Sequence, residues 1–303
     1  MVRPVRHLAR LALGALAMLT ALAAPGCSQA ANPGGAGPAL WRVYDADSEI
    51  WLLGTAHMLP KDLKWDSRRI DAAIAASSTV MFETPIDEAG TQAIAELVTQ
   101  YGRNPPGVTL SSMLTPGDRD SLLKVCKMIN VDPNALEGQR PWLAGVGLSV
   151  AYVISKGLDP KSGVEHLLDA KAQAANKKRE YFETSEQQIR FFADLPVKTQ
   201  LDFLHSTLHE IQAEEEDFNA INAAWATGDV KTMAKYFAGM NKETAPEVYN
   251  VLIRDRNARW EKRLEEMMAG SRKTFIAVGA AHLIGPGSVI EQLRKRGYKV
   301  EGP

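Results

Sequence analysis

Two phrases with the same ends, Gly54-Thr55-Ala56-His57 and Gly279-Ala280-Ala281-His282, constrain this chain more than any other feature. Each follows an apolar, β-favouring run, Ile50-Trp51-Leu52-Leu53 in one case and Thr274-Phe275-Ile276-Ala277-Val278 in the other, that reads as a buried strand. Each run reaches a glycine, where the backbone can turn tightly, and delivers a histidine three positions later. After the second phrase come Pro286 at a helix start, an amphipathic stretch from Val289 to Arg296, Gly297 as a helix stop and a closing strand Tyr298-Lys299-Val300. That is a βαβ signature, and strands from both chain ends are predicted to share one sheet.

Leu40 to Tyr44 and Glu49 to Leu53 read as a hairpin around the polar turn Asp45-Ala46-Asp47-Ser48. A helix is predicted from Asp66 or Ser67 as N-cap, with Ile70, Ala73 and Ile74 on one face. The short strand Thr79-Val80-Met81-Phe82 then exits at Glu83-Thr84-Pro85, because proline has no amide to continue a ladder. Residues 86 to 265 read as mostly helical, with breaks at 103–107, 115–118 and 157–163. One insert, Lys178 to Phe182, looks like a strand, and Phe182-Glu183-Thr184 echoes Phe82-Glu83-Thr84. The predicted class is α/β (α+β): a small mixed sheet built from both chain ends and a large helical insertion, in one domain over residues 40–303.

Residues 1–26 read as a secretory signal peptide, with Arg3, Arg6 and Arg10 ahead of an apolar stretch too short for a permanent span. Residues 27–39, rich in Gly, Pro, Ala and Ser, form a flexible leader. The run up to Cys27 resembles a lipoprotein signal, although Pro25 departs from the usual pattern, so both simple cleavage and a membrane tether through Cys27 stay open. The expected location is the periplasm or cell envelope. Removing three arginines and no acids takes the formal charge from −1 to −4. A mildly acidic chain without a basic stripe is not built for nucleic acid. With Cys27 removed or lipidated, Cys126 is alone and no structural disulfide is predicted.

Ligands of open α/β sheets collect beyond the carboxyl ends of strands, so His57, Glu83 and His282 are predicted to converge there. Two imidazoles and a carboxylate suit a divalent first-row ion with positions left for water and substrate. A histidine beside apolar residues is by default a packed one, and Arg256 lies in a charge-dense helical run where a solvated face is the default. His205 and His209, at i and i+4, would share a helix face and could bind an ion with Glu210 or the acidic run 214–217, against the default of a polar helix surface.

The two GxxH phrases, with Glu83 between them and Arg256-Asn257 upstream of the second, resemble the TraB/PrgY/GumN family, which includes the Tiki metalloproteases. Arg140-Pro141-Trp142, Gly157-Leu158-Asp159 and Glu183-Thr184 to Gln187 also read like that family, and the likeness runs from Trp41 to Val300. The resemblance implies an erythromycin-esterase-like or ChaN-like fold and metal-dependent hydrolysis of a peptide or protein substrate, using manganese, cobalt or zinc. It implies His57 and His282 as metal or catalytic histidines, Glu83 as ligand or general base, and Arg256 as an electrostatic partner. If Glu83 is a ligand, Glu183 is the candidate proton acceptor. A haem or metal-complex binding protein and a non-catalytic regulatory factor are the alternatives.

Overall fold

The structure is a computed structural model that describes residues 37–213, 217–238 and 246–303. The signal peptide, Cys27, most of the leader and residues 214–216 of the acidic run lie outside the described residues.

Strands β1 (Leu40–Tyr44) and β2 (Glu49–Thr55) form the predicted hairpin, with Tyr44 opposite Glu49. Asp45 closes the turn, its carboxylate accepting from the amides of Asp47 at 3.1 Å and Ser48 at 2.8 Å. The helix Arg68–Ala76 follows, with Ser67 at the N-cap, and turns Ile70, Ala73 and Ile74 inward. Strands β3 (Thr79–Phe82), β4 (Lys178–Tyr181), β5 (Lys273–Gly279) and β6 (Lys299–Glu301) complete a sheet in the order β4-β3-β5-β2-β1-β6. Strands β2, β5, β3 and β4 run parallel, while β1 is antiparallel to both its neighbours. Both chain ends therefore share the sheet. The closing strand does not sit beside β5, however, because β2 and β3 already occupy both edges of β5; it pairs instead with β1.

Parallel strands covered on both faces read as near-continuous apolar runs, and β3 and β5 do so. The sheet and its flanking helices enclose one core around Leu52, Leu53, Phe82, Phe275 and Ile276. The middle of the chain builds a second core of its own, in which the helix Pro141–Ser155 packs on the helix Val197–Ala213. Gly145 permits that contact: a Cβ there would meet a ring carbon of Phe203 at 2.8 Å. Arg140-Pro141-Trp142 belongs to this joint. Arg140 donates to the carbonyls of Tyr101 at 3.1 Å and Ala193 at 2.9 Å, Pro141 opens the helix, and Trp142 stacks on Phe192. Among the described residues no helix is long and apolar enough to cross a membrane, and Cys126 is free and buried.

The glycines of the two phrases act differently from the expected turn. Gly54 lies within β2, and what it permits is close approach: a Cβ there would sit 3.0 Å from the Cα of Ala280. Its own carbonyl accepts from the indole of Trp225 at 2.8 Å. Gly279 has φ −50° and ψ 134°, a conformation open to any residue.

Candidate functional site

The echo between Phe82-Glu83-Thr84 and Phe182-Glu183-Thr184 has a spatial cause. Strands β3 and β4 are parallel neighbours, and their ladder continues past the strands proper, with the amide of Phe182 bonded to the carbonyl of Phe82 at 3.0 Å and that of Glu183 to Glu83 at 2.8 Å. The two glutamates thus leave the sheet side by side. Thr184 then caps the helix Ser185–Ala193 in a capping box with Gln187, which fixes the angle at which the chain departs just after Glu183.

Both carboxylates close on Arg256, which projects from the helix Asp255–Met268 and is only 1% exposed. Its Nε donates to Glu183 at 2.8 and 3.1 Å, one Nη donates to Glu183 at 2.8 Å and also to Glu83, and the other donates to the Leu252 carbonyl at 3.2 Å and to Nε2 of His282 at 3.1 Å. All five guanidinium N–H groups are engaged, a planar fork no lysine could reproduce. A π-helical segment, Asn250–Arg254, leads into the arginine and contributes the Leu252 carbonyl, an irregularity often found at functional sites. Trp260, one turn further along, donates to Glu183 at 3.0 Å and lies beneath the guanidinium, 4.8 Å from ring centre to Cζ. Gln188 bonds Glu183 at 2.9 Å and Glu83 at 3.4 Å.

Burial opposes the charge on Glu83, but Arg256 above all, with the two histidines and the Gly279 amide at 2.7 Å, outweighs it and holds the carboxyl at about 2, against an ordinary 4.5. Arg256 is raised above its ordinary value, the two carboxylates overcoming the cost of burial. His282 goes the other way. Burial first, then the adjacent guanidinium, push it down from 6.5 to about 3, so the ring is neutral at pH 7. Its tautomer follows from its partners. Arg256 can only donate, so Nε2 is the acceptor; Nδ1 carries the proton and gives it to the Asn257 side-chain oxygen at 2.6 Å. Asn257 in turn donates to the Gly287 carbonyl at 3.1 Å.

His57 leaves β2 beside this cluster, close enough to act electrostatically on both Glu83 and His282. Its Nδ1 lies 2.6 Å from Oε1 of Glu165, in the first turn of the helix Val164–Ala174. Gly163 brings that helix against the phrase: a Cβ there would fall 2.4 Å from the His57 carbonyl. The Val164 amide bonds the Ala56 carbonyl at 3.1 Å. Burial would raise the Glu165 carboxyl, yet His57 more than compensates and holds it below the ordinary range. The contact sets a carboxylate against one ring nitrogen of His57, on the side where the helix Val164–Ala174 begins.

His57, Glu83, Glu183, Arg256 and His282 are therefore neighbours, although they come from five separate segments. The structure does not form the shared ion site expected of His57, Glu83 and His282: among the described residues no three His, Cys, Asp or Glu side chains are grouped to hold a metal ion. Arg256 is the reason. It takes the Nε2 lone pair of His282 and one oxygen of Glu83, the other oxygen accepts from Gly279, and a second cation here would face the guanidinium. As they stand, these residues do not fit a divalent ion. Glu183, the expected proton acceptor, has both oxygens bonded to Arg256, Trp260 and Gln188. Sequence reading missed Glu165, Gln188 and Trp260. An acid in the first turn of a helix is explained by the helix dipole alone, so nothing marked Glu165 out.

A mixed sheet, parallel at its centre, with polar residues gathered at its strand exits and fed by both ends of the chain, defines an α/β protein with a buried ionic site. The chain belongs to the TraB/PrgY/gumN family, whose model matches residues 39–302. It is similar to the uncharacterized protein YbaP of Escherichia coli (strain K12), with 22% identity over 262 residues, 85% of this chain and 92% of that protein. The YbaP of Shigella flexneri matches with the same identity and coverage.

Proposed function

We propose that this protein is a hydrolase of the cell envelope that cleaves an amide bond in a peptide or protein, with His57 as the general base. The observation that carries the reading is the Glu165 to His57 contact, 2.6 Å between two largely buried side chains, next to a second histidine and an ionic cluster. A base held by a carboxylate behind it is the arrangement by which an imidazole is kept in one tautomer and steadied when it gains a proton. A water molecule adds to the scissile carbonyl and gives its proton to Nε2 of His57. The C–N bond then breaks as that proton passes to the leaving nitrogen. Arg256, with every N–H engaged, acts as a positioning residue that keeps Glu83, Glu183 and His282 in place. The peptide substrate rests on the family resemblance, and the compartment on the signal-like N-terminus, which also carries the proposed tether through Cys27.

A regulatory, non-catalytic role is the second reading, favoured by the saturation of Arg256, Glu83 and Glu183 with one another. Digestion of a peptide library separates the two, using wild type, His57→Ala and His282→Ala, each with chelator and with added manganese, cobalt or zinc. Cleavage by the wild type that is lost in His57→Ala supports hydrolysis. No cleavage under any ion condition, or equal cleavage by wild type and His57→Ala, overturns it.

A further inference from the structure

The helix Val197–Ala213 buries Phe203, Leu204, Thr207, Leu208 and Ile211, and carries His205 and His209 on a more open face, with His209 exposed. Their rings lie 4.4 Å apart between centroids, as i and i+4 spacing dictates. Neither belongs to the cluster around Arg256.

His205 is not a free surface ring. Its Nδ1 sits 2.5 Å from Oδ1 of Asp118, near the start of the neighbouring helix Pro116–Met128. Asp118 is fixed in turn: its other oxygen accepts from the Thr115 hydroxyl at 2.6 Å, and its amide donates to that hydroxyl at 3.2 Å. A carboxylate bonded to one ring nitrogen fixes the ring's orientation and leaves the other nitrogen to a ligand, which is the outer support that ligating histidines nearly always have. His209 is pushed below its ordinary value by partial burial and by His205, so it offers a neutral ring at pH 7.

We propose that His205 and His209 chelate a borderline first-row ion, zinc or copper(II), with Asp118 behind His205 and water in the remaining positions. Two imidazoles on one helix face favour such ions over magnesium or calcium, which prefer oxygen. Asp118 is engaged with the His205 ring, so the protein supplies two donors.

Equilibrium dialysis of the protein with zinc, and separately with copper(II), tests the proposal, read as ion bound per chain and, for copper, as coupling to two imidazole nitrogens in the paramagnetic resonance spectrum. Wild type and the His57→Ala/His282→Ala double variant are expected to bind one equivalent alike. Affinity should fall at least tenfold in His209→Ala and about tenfold in Asp118→Asn. His209 is exposed, so its loss leaves the fold intact, and unchanged far-ultraviolet circular dichroism verifies that. Undiminished binding in His209→Ala, coupling to a single nitrogen in wild type, or loss of binding in a His57→Ala/His282→Ala variant whose far-ultraviolet circular dichroism matches wild type would each overturn the proposal.

Discussion

Arg256 decides how the buried residues behave. Taking one guanidinium and two carboxylates out of water costs several kcal/mol per ion, and only complete mutual bonding repays it. Arg256→Met leaves two buried carboxylates without their cation, and a loss of about 3–5 kcal/mol in urea unfolding is expected. Arg256→Lys should recover little of it, because three ammonium protons cannot replace five in a plane. The tautomer of His282 is a sharper prediction at this scale. Nitrogen-15 correlation spectra should show a neutral ring protonated at Nδ1 at about pH 7, and protonation at Nε2 would contradict the site described above. Stability should follow pH with a definite sign. His282 is held at about 3 when folded against 6.5 when unfolded, so the unfolded chain gains its proton first. Its contribution is complete above 6.5 and declines on acidification, by about 1.4 kcal/mol per pH unit. Glu83, at about 2 against 4.5, adds its own loss below 4.5. Urea melts from about pH 7.5 to about pH 4 check this, and His282→Asn should flatten the part above pH 5.

At the scale of elements, the site depends on how closely neighbouring segments approach. Gly54→Ala would press a methyl group against Ala280, at 3.0 Å from its Cα, and should cost about 1–3 kcal/mol by thermal or urea unfolding. Gly163→Ala meets the His57 carbonyl at 2.4 Å, so the helix carrying Glu165 must move away from the histidine it supports. On the proposed hydrolase reading, that variant is expected to lose peptide cleavage more completely than Gly54→Ala, measured on the same substrate. Thr184→Ala removes one half of a capping box and should cost about 1 kcal/mol. The elements themselves were largely legible: the opening hairpin, the strand before Glu83 and the strand leading to His282 follow from apolar runs bounded by polar turns, while the strand at 178, Lys-Arg-Glu-Tyr, is charged and was read from its flanks. The position of β6 was not, because a βαβ pattern does not reveal that both edges of β5 are already filled. The role of Gly54 was hidden for a related reason. Close approach to Ala280 is a tertiary fact, whereas a turn is a local one.

For the whole molecule, sequence showed which residues leave the strands but not what they meet. His57, Glu83 and His282 were drawn from strand exits, and the parallel order of β2, β5, β3 and β4 brings those exits to one edge of the sheet. Arg256 was visible only through the family resemblance, since its helix is otherwise a run of charges, and nothing in that run says that one guanidinium turns inward. Its inward turn sets a protein cation among the groups expected to share an ion. Because the sheet takes strands from both ends and the cluster joins residues 173 positions apart, the fold and the site should stand or fall together. A double-mutant cycle on unfolding free energy, with Glu83→Gln, Arg256→Met and the pair, measures that union most directly. A coupling of about 2 kcal/mol or more is predicted for a buried, bonded pair, and additivity within about 0.5 kcal/mol would contradict the claim that Arg256 organises the site.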